Sequence, residues 1–175
     1  MARMDSSENK IARVFYMTFK NLQPILIENV NKSLQYWADG ILQIGEDFRN
    51  QNDYKQSGIS FVKKLYAFEK ANVLFKPTLA KEQPFRQSVE GAHSYFVGDN
   101  TNYPEDLGFA IKHWINISFK LGQYVVNDNL MTWMGYTNFF NDDNEKVTVH
   151  STFLWGHFHQ ESHPQIIIHH SSLSL

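Results

Sequence analysis

Cysteine is absent from the 175-residue sequence, which excludes disulfides, thiolate metal sites and a cysteine nucleophile. Long apolar runs are missing too, since no stretch approaches the roughly 20 residues that a membrane-spanning helix needs. Neither charge dominates, because 16 Lys and Arg face 18 Asp and Glu. No basic cluster indicates a nucleic acid or a membrane surface as a partner, and no glycine-rich phosphate-binding motif occurs.

Hydrophobic and aromatic residues are plentiful, at 42% and 15% of the chain, enough for one well-filled core. No repeat or linker divides the sequence. We therefore predict an N-terminal extension over residues 1–25 and one domain over residues 26–175. The composition predicts a soluble protein, cytoplasmic if the chain is complete and periplasmic or organellar if a targeting peptide was removed.

The first third of the chain has helical periodicity. Apolar residues at spacings of three and four form a stripe of about six turns, made of Ile27, Val30, Leu34, Trp37, Ile41, Ile44 and Phe48. A shorter amphipathic segment, containing Ile11, Val14, Phe15 and Met17, precedes this stripe. A second helix is predicted over residues 55–69, and Gly40 is expected to weaken the long helix.

From residue 73 onward the period changes to two, which is typical of strands. Strands are predicted over residues 73–75, 92–97, 115–121, 130–140, 146–158 and 165–173. Asn127-Asp128-Asn129 predicts a hairpin turn, and Asn141 to Asn144 predicts another turn. Helices followed by strands predict an α+β fold, with the helices packed on one face of an antiparallel sheet.

The final strand carries four polar side chains after three isoleucines, in the string Ile166-Ile167-Ile168-His169-His170-Ser171-Ser172. Alternation puts His170 and Ser172 on one face and His169 and Ser171 on the other. The space left by Gly156 on the preceding strand favours His170 and Ser172 as the pair that faces the helices. A register slip of one residue would exchange the two pairs, and structural roles at a sheet end or an oligomer interface stay open for all four.

Other polar clusters give weaker signals. His157, His159 and His163 lie near one hairpin, where imidazoles can bind zinc, but surface histidines are the favoured interpretation. Glu105-Asp106 and Asp142-Asp143 lie in predicted loops, where acidic residues commonly cap turns or helices.

Several strings in a fixed order resemble the iota-class carbonic anhydrases, over roughly residues 30–173. They are Val73-Leu-Phe-Lys-Pro-Thr-Leu-Ala80, Phe85-Arg86, Ser94-Tyr-Phe-Val-Gly98, Pro104-Glu-Asp-Leu-Gly-Phe-Ala-Ile111, Met134-Gly135 and His169-His-Ser-Ser172, with Trp37-Ala-Asp-Gly40 and Ile44-Gly45 in the long helix. This family is similar to the association domain of calcium/calmodulin-dependent kinase. Both belong to the nuclear-transport-factor-2-like (SnoaL-like) superfamily.

The resemblance implies a cystatin-like cone, in which a strongly curved antiparallel sheet wraps a long helix, and a homodimer. It implies reversible hydration of carbon dioxide to bicarbonate, without a cofactor or metal. The alternative that stays open is a non-catalytic dimeric small-ligand-binding or assembly domain of the same fold. The implied catalytic residues are Tyr95, His170 and Ser172, and Thr78, Tyr95 and Ser172 would bind substrate. His170 would accept or relay the proton, and the lower-ranked candidates are His169, Ser171 and Ser94.

One segment departs from the family pattern. Residues 147–156 read Val-Thr-Val-His-Ser-Thr-Phe-Leu-Trp-Gly, where the family leads us to expect an acidic residue and a Thr-Phe-Gly-Tyr-like string. His150 and Trp155 are therefore expected to alter one wall of the pocket.

Overall fold

Three helices and five strands make up the part of the chain that the computed structural model describes, residues 28–143 and 145–173, with Leu121 described by its backbone alone. In chain order they are α1 (Asn29–Arg49), α2 (Tyr54–Leu65), β1 (Leu74–Lys76), α3 (Val89–Val97), β2 (Trp114–Asn127), β3 (Leu130–Asn141), β4 (Lys146–Gly156) and β5 (Gln165–Leu173). The predicted extension over residues 1–25, with its amphipathic segment, lies outside the described residues, as does Ile27 of the stripe.

The long helix α1 buries the face that its apolar stripe predicts. Val30, Leu34, Trp37, Ile41 and Ile44 are all buried, and the helix packs on α2 and on the inner face of the sheet. Gly40 lies close against α2, because a Cβ added there would lie 2.3 Å from the Phe61 ring. The glycine therefore allows the two helices to pack, at a small cost in helix propensity.

The sheet has the order β1-β5-β4-β3-β2. The four long strands pair antiparallel, as predicted, and the hairpin turn lies where Asn127-Asp128-Asn129 indicates. The short strand β1 pairs parallel with β5, so the sheet is mixed at this edge and the prediction of a wholly antiparallel sheet is wrong there. The α+β class is confirmed, whereas the strong curvature of the sheet stays a prediction.

The segment predicted as a strand over residues 92–97 is instead the helix α3. Its residues Tyr95, Phe96 and Val97 have strand propensity, but the signals at the two ends favour a helix. Ser88 caps the first turn by accepting a hydrogen bond from the Gly91 N–H at 3.0 Å. Gly98, at φ +74°, ends the helix and donates its N–H to the Ser94 carbonyl at 2.7 Å, as glycine commonly does.

A buried ion pair joins the segment before α3 to the loop that follows the helix. The Arg86 side chain is fully buried and donates to Asp106 at 2.7 Å and to Glu105 at 3.3 Å, and its guanidinium lies 4.4 Å from the centre of the Tyr103 ring. Asp106 also accepts from the Ser94 hydroxyl at 2.7 Å. This network holds the helix that carries Tyr95.

Replacement of Arg86 by methionine is expected to lower the free energy of unfolding by about 3–5 kcal/mol, because the Asp106 charge stays buried without its partner. Urea unfolding measures this loss. The matched control is Lys32→Met, which removes the exposed pair with Glu28 and should cost less than about 1 kcal/mol. Equal effects of the two substitutions would contradict a structural role for the buried pair.

Candidate functional site

A small cavity lies between α1, α3 and the inner face of the sheet. It is lined by Trp37, Phe75, Pro77, Thr78, Tyr95, Phe96, Phe109, Phe139, Val149, His169 and Ser171. Its volume, taken as the space open to the centre of a water molecule, is about 10 Å³, which is room for about one water. Most of the wall is aromatic, and the side chains that bring polar atoms to it are those of Trp37, Thr78, Tyr95, His169 and Ser171.

The final strand turns His169 and Ser171, not His170 and Ser172, toward this cavity. His169 and Ser171 are 3% and 6% exposed, whereas His170 is exposed and Ser172 half-buried on the opposite face. The predicted face assignment is therefore wrong, and the cause is not a register slip, because His170 and Ser172 stay on the same side as Leu154.

The error lies in the choice of face. Leu154 pairs with Ile168 and Thr152 pairs with His170, so these residues share one side of the sheet as expected, but that side is the outer one. The bulge in β5 beside Trp155 precedes Ile168 and does not change the face of His169 or His170.

The His169 ring is stacked between two phenylalanine rings. Phe75 of β1 and Phe153 of β4 are its direct neighbours on the two adjacent strands, with ring centres 4.9 and 4.1 Å away. The Trp37 ring meets it edge-on at 5.4 Å. Burial among these rings, with a smaller contribution from the nearby His170, lowers the pKa of His169 to about 3, so the imidazole is neutral at pH 7.

His169 belongs to a buried chain of hydrogen bonds. The Trp37 indole N–H donates to the Tyr66 hydroxyl oxygen at 3.1 Å, and that hydroxyl lies 2.8 Å from His169 Nδ1. On the other side of the ring, His169 Nε2 lies 2.9 Å from Ser171 Oγ. The chain thus runs from the long helix to the cavity.

Tyr95 of α3 approaches the cavity from the opposite side. Burial raises the pKa of the Tyr95 phenol, and the Asp106 charge acts in the same direction. The Leu79 backbone and Thr78 lie beside the phenol and oppose the rise in pKa, though by less. The hydroxyl therefore keeps its proton at neutral pH and can serve as a donor.

Ser94 does not line the cavity. It is fully buried behind Tyr95, where it donates to Asp106. Its position indicates a part in holding α3 in place.

The acidic and histidine clusters take structural positions. Glu105 caps the 81–83 turn by accepting three backbone N–H bonds, from Lys81, Glu82 and Gln83, and Asp142 pairs with His113. Within residues 28–143 and 145–173, no three His, Asp or Glu side chains are grouped in a way that could hold a metal ion. His163 contacts the Lys64 carbonyl and Ser162, and Glu161 pairs with Lys70.

Neither His150 nor Trp155 lines the cavity, contrary to the expectation that they alter its wall. His150 lies on the outer face of the sheet, where it pairs with Ser172, and Trp155 is buried against the Phe153 ring. Val149 is the residue of β4 that lines the wall.

Tyr66 is a residue of the site that the sequence did not predict. It follows α2 directly and contacts β5, and only its place at the end of an apolar helix face marked it as buried.

Two solved structures of low identity share the fold. A protein from Xanthomonas campestris described as a calcium/calmodulin-dependent protein kinase II association domain gives a TM-score of 0.55 at 15% identity, covering 87% of this chain and 94% of that one. A dehydratase-like protein of the nuclear-transport-factor-2-like family from Streptomyces avermitilis gives 0.50 at 12%, covering 85% and 96%. The fold is thus that of the nuclear-transport-factor-2-like proteins. None of the helices within residues 28–143 and 145–173 has the length and apolar character of a membrane span.

Closer matches define the family. The metal-independent carbonic anhydrase family matches residues 28–173. A metal-independent carbonic anhydrase from Nostoc sp. (strain PCC 7120) is 32% identical over 142 residues, 78% of this chain and 68% of that protein. A cyanobacterial iota-carbonic anhydrase, solved with bicarbonate, superposes with a TM-score of 0.83 at 28% identity, covering 87% of this chain and 94% of that one. The chain belongs to the metal-independent carbonic anhydrase family, as the resemblance predicted.

The lowered pKa of His169 predicts acid sensitivity. Between pH 6.5, near the pKa of histidine in an unfolded chain, and pH 3, only the unfolded state takes up the proton, so stability falls as the pH falls. The expected contribution is about 1.4 kcal/mol per pH unit. It is measured as the difference in unfolding free energy between the wild type and His169→Gln at pH 6 and pH 5.

As the pH falls from 6 to 5, the unfolding free energy of the wild type should fall by more than that of His169→Gln. His159→Gln, on an exposed histidine, is the control and should follow the wild-type pH dependence closely. Parallel pH curves for the wild type and His169→Gln would contradict a buried neutral imidazole.

Proposed function

We propose that this chain catalyses the reversible hydration of carbon dioxide to bicarbonate in the aromatic cavity, without a metal. The observation that carries the proposal is that two neutral hydroxyl groups, of Tyr95 and Ser171, reach one small aromatic cavity in a member of this family. The cyanobacterial relative that carries bicarbonate has the same fold.

The cavity suits the two sides of the reaction. Carbon dioxide is small and uncharged, so it enters the aromatic cavity without any charged group losing its hydration. Bicarbonate needs hydrogen-bond donors, which Tyr95, Thr78 and Ser171 supply. The described volume holds one water, so small movements of the wall accompany binding of the larger molecule.

The proposed step moves protons through a hydroxyl group. The water oxygen forms a bond to the carbon of carbon dioxide, and the electron pair of one C=O bond moves onto the oxygen of that bond. Ser171 gives its proton to that oxygen as it takes one from the attacking water, and Tyr95 donates a hydrogen bond to the developing charge. The product, carbonic acid, then loses a proton to solvent and leaves as bicarbonate.

This proposal assigns His169 and Ser171 to the roles that the sequence suggested for His170 and Ser172. With its lowered pKa, His169 is a weak base at neutral pH and serves as the hydrogen-bond partner of Ser171. Orientation and donor placement, which can contribute much of a barrier reduction, then account for the catalysis.

Removal of either hydroxyl should reduce the rate. Tyr95→Phe and Ser171→Ala are each expected to lower kcat/KM for carbon dioxide hydration by about 10²-fold, the usual effect of losing one such donor. Stopped-flow hydration assays in the presence of a chelator measure this, and the wild type should stay active there. The matched control is Ser172→Ala on the opposite face of β5, which should keep nearly wild-type activity.

Two results would overturn the assignment: a larger loss in Ser172→Ala than in Ser171→Ala, or loss of wild-type activity on chelation. Circular dichroism of each variant separates a lost donor from a lost fold.

We also propose that the outer face of the sheet forms a homodimer. Cross-strand pairing puts Val125, Met134, Leu154 and Ile168 on this face, and Val125 and Met134 are 68% and 61% exposed. Exposed apolar patches of this kind commonly mark interfaces. His170 and Ser172 lie on the same face, which fits an interface role for them.

A lysine at the centre of this face should prevent dimer formation, because it would bury a charge without a partner. Light scattering is expected to give twice the mass of one chain for the wild type and the mass of one chain for Met134→Lys. The control is Lys32→Met on α1. A monomeric wild type, or a dimer that Met134→Lys leaves intact, would contradict the proposed interface.

A further inference from the structure

The hydrogen-bond chain from Trp37 to Ser171 has a direction, which its first member fixes. An indole N–H can only donate, so the Tyr66 oxygen accepts from Trp37. Among the described residues, the other polar atom within hydrogen-bond distance of that hydroxyl is His169 Nδ1, at 2.8 Å. The phenol proton therefore goes to Nδ1, which must be the unprotonated nitrogen of the ring.

The tautomer of His169 follows from this. A neutral imidazole carries one proton, so with Nδ1 as the acceptor the proton lies on Nε2. That nitrogen is 2.9 Å from Ser171 Oγ and donates to it. Burial among the Phe75, Phe153 and Trp37 rings keeps the imidazole neutral. The ring therefore does not take up a second proton, which would make both of its nitrogens donors.

The opposite direction leaves a buried proton without an acceptor. If Nδ1 carried the proton, the Tyr66 oxygen would accept from both Trp37 and His169, and its own hydrogen would need a third partner. Tyr66 is 1% exposed, and the described residues offer no such partner. A buried hydroxyl without an acceptor is costly.

Ser171 is the end of the chain and faces the cavity. Because Ser171 Oγ accepts from His169, the Ser171 hydrogen is free to point away from the ring, toward the space shared with Tyr95 and Thr78. In the reverse tautomer, Nε2 would accept and the Ser171 hydrogen would point back at the imidazole. The tautomer therefore decides whether the cavity gains a donor.

We propose that Tyr66, with Trp37 behind it, is a positioning residue that fixes the Nε2–H tautomer of His169 and so makes Ser171 a hydrogen-bond donor to the cavity. The donor role of Ser171 in catalysis rests on the proposed function, but the direction of the chain does not. Neither Tyr66 nor Trp37 needs to touch the reacting atoms through its polar group.

The test reads the tautomer directly. In protein labelled with ¹⁵N at histidine, long-range ¹H–¹⁵N correlation spectra show which ring nitrogen carries the proton. The wild type is expected to show His169 with a bare Nδ1 and a protonated Nε2 at pH 7. Tyr66→Phe keeps the ring and removes the hydroxyl, so a mixture of both tautomers is expected.

The rate of the same variants tests the consequence. Tyr66→Phe is expected to lower kcat for carbon dioxide hydration by about tenfold, less than the full loss of one donor, with little change in KM. The matched control is Tyr36→Phe, the same chemical change on a half-exposed tyrosine of α1, which should leave both the His169 spectrum and kcat unchanged.

Three results would overturn the proposal: a wild-type His169 protonated on Nδ1, a Tyr66→Phe spectrum that still shows only the Nε2–H form, or a full rate in Tyr66→Phe. The wild-type spectrum needs no variant to fold. If the wild type has no hydration activity, the proposed function fails, and the spectra of the wild type and Tyr66→Phe still decide the direction of the chain.

Discussion

The parallel pairing of β1 with β5 is the constraint on which the cavity depends. It stacks Phe75 on one face of the His169 ring, while Phe153 from β4 covers the other face. The chain leaves this three-residue strand after Lys76 and brings Thr78 to the cavity wall. Without this pairing, β5 would be an edge strand, and the imidazole would lose the Phe75 ring, which is part of the burial that lowers the pKa of His169.

Burial then gives the site its chemical character. It raises the pKa of Tyr95 and lowers the pKa of His169, so both groups are neutral and both can donate hydrogen bonds. An uncharged cavity lined by rings accepts carbon dioxide readily and holds an anion only through its donors. On the proposed function, this balance lets bicarbonate leave, and catalysis comes from the placement of hydroxyl groups.

The sequence predicted the α+β fold, the long helix and the four long strands, because periodicity reports which face of an element is buried. It failed in two places for different reasons. The caps at Ser88 and Gly98 make residues 89–97 a helix although the residues between them favour a strand. Alternation along β5 separates His169 and Ser171 from His170 and Ser172, but it does not say which of the two faces the helices cover. The parallel partner of β5 and the contact of Tyr66 with His169 join residues about 100 positions apart, which no local pattern can reveal. Thr78 and Tyr95 line the cavity as the resemblance implied, and their roles there stay proposals.

A crystal structure of this chain with bicarbonate is the sharpest test of the cavity as the site of catalysis. The anion is expected in the cavity, with its oxygens within hydrogen-bond distance of the Tyr95 hydroxyl and Ser171 Oγ, and with His169 Nε2 still bonded to Ser171. Bicarbonate bound instead beside His170 and Ser172 on the outer face of the sheet would contradict it.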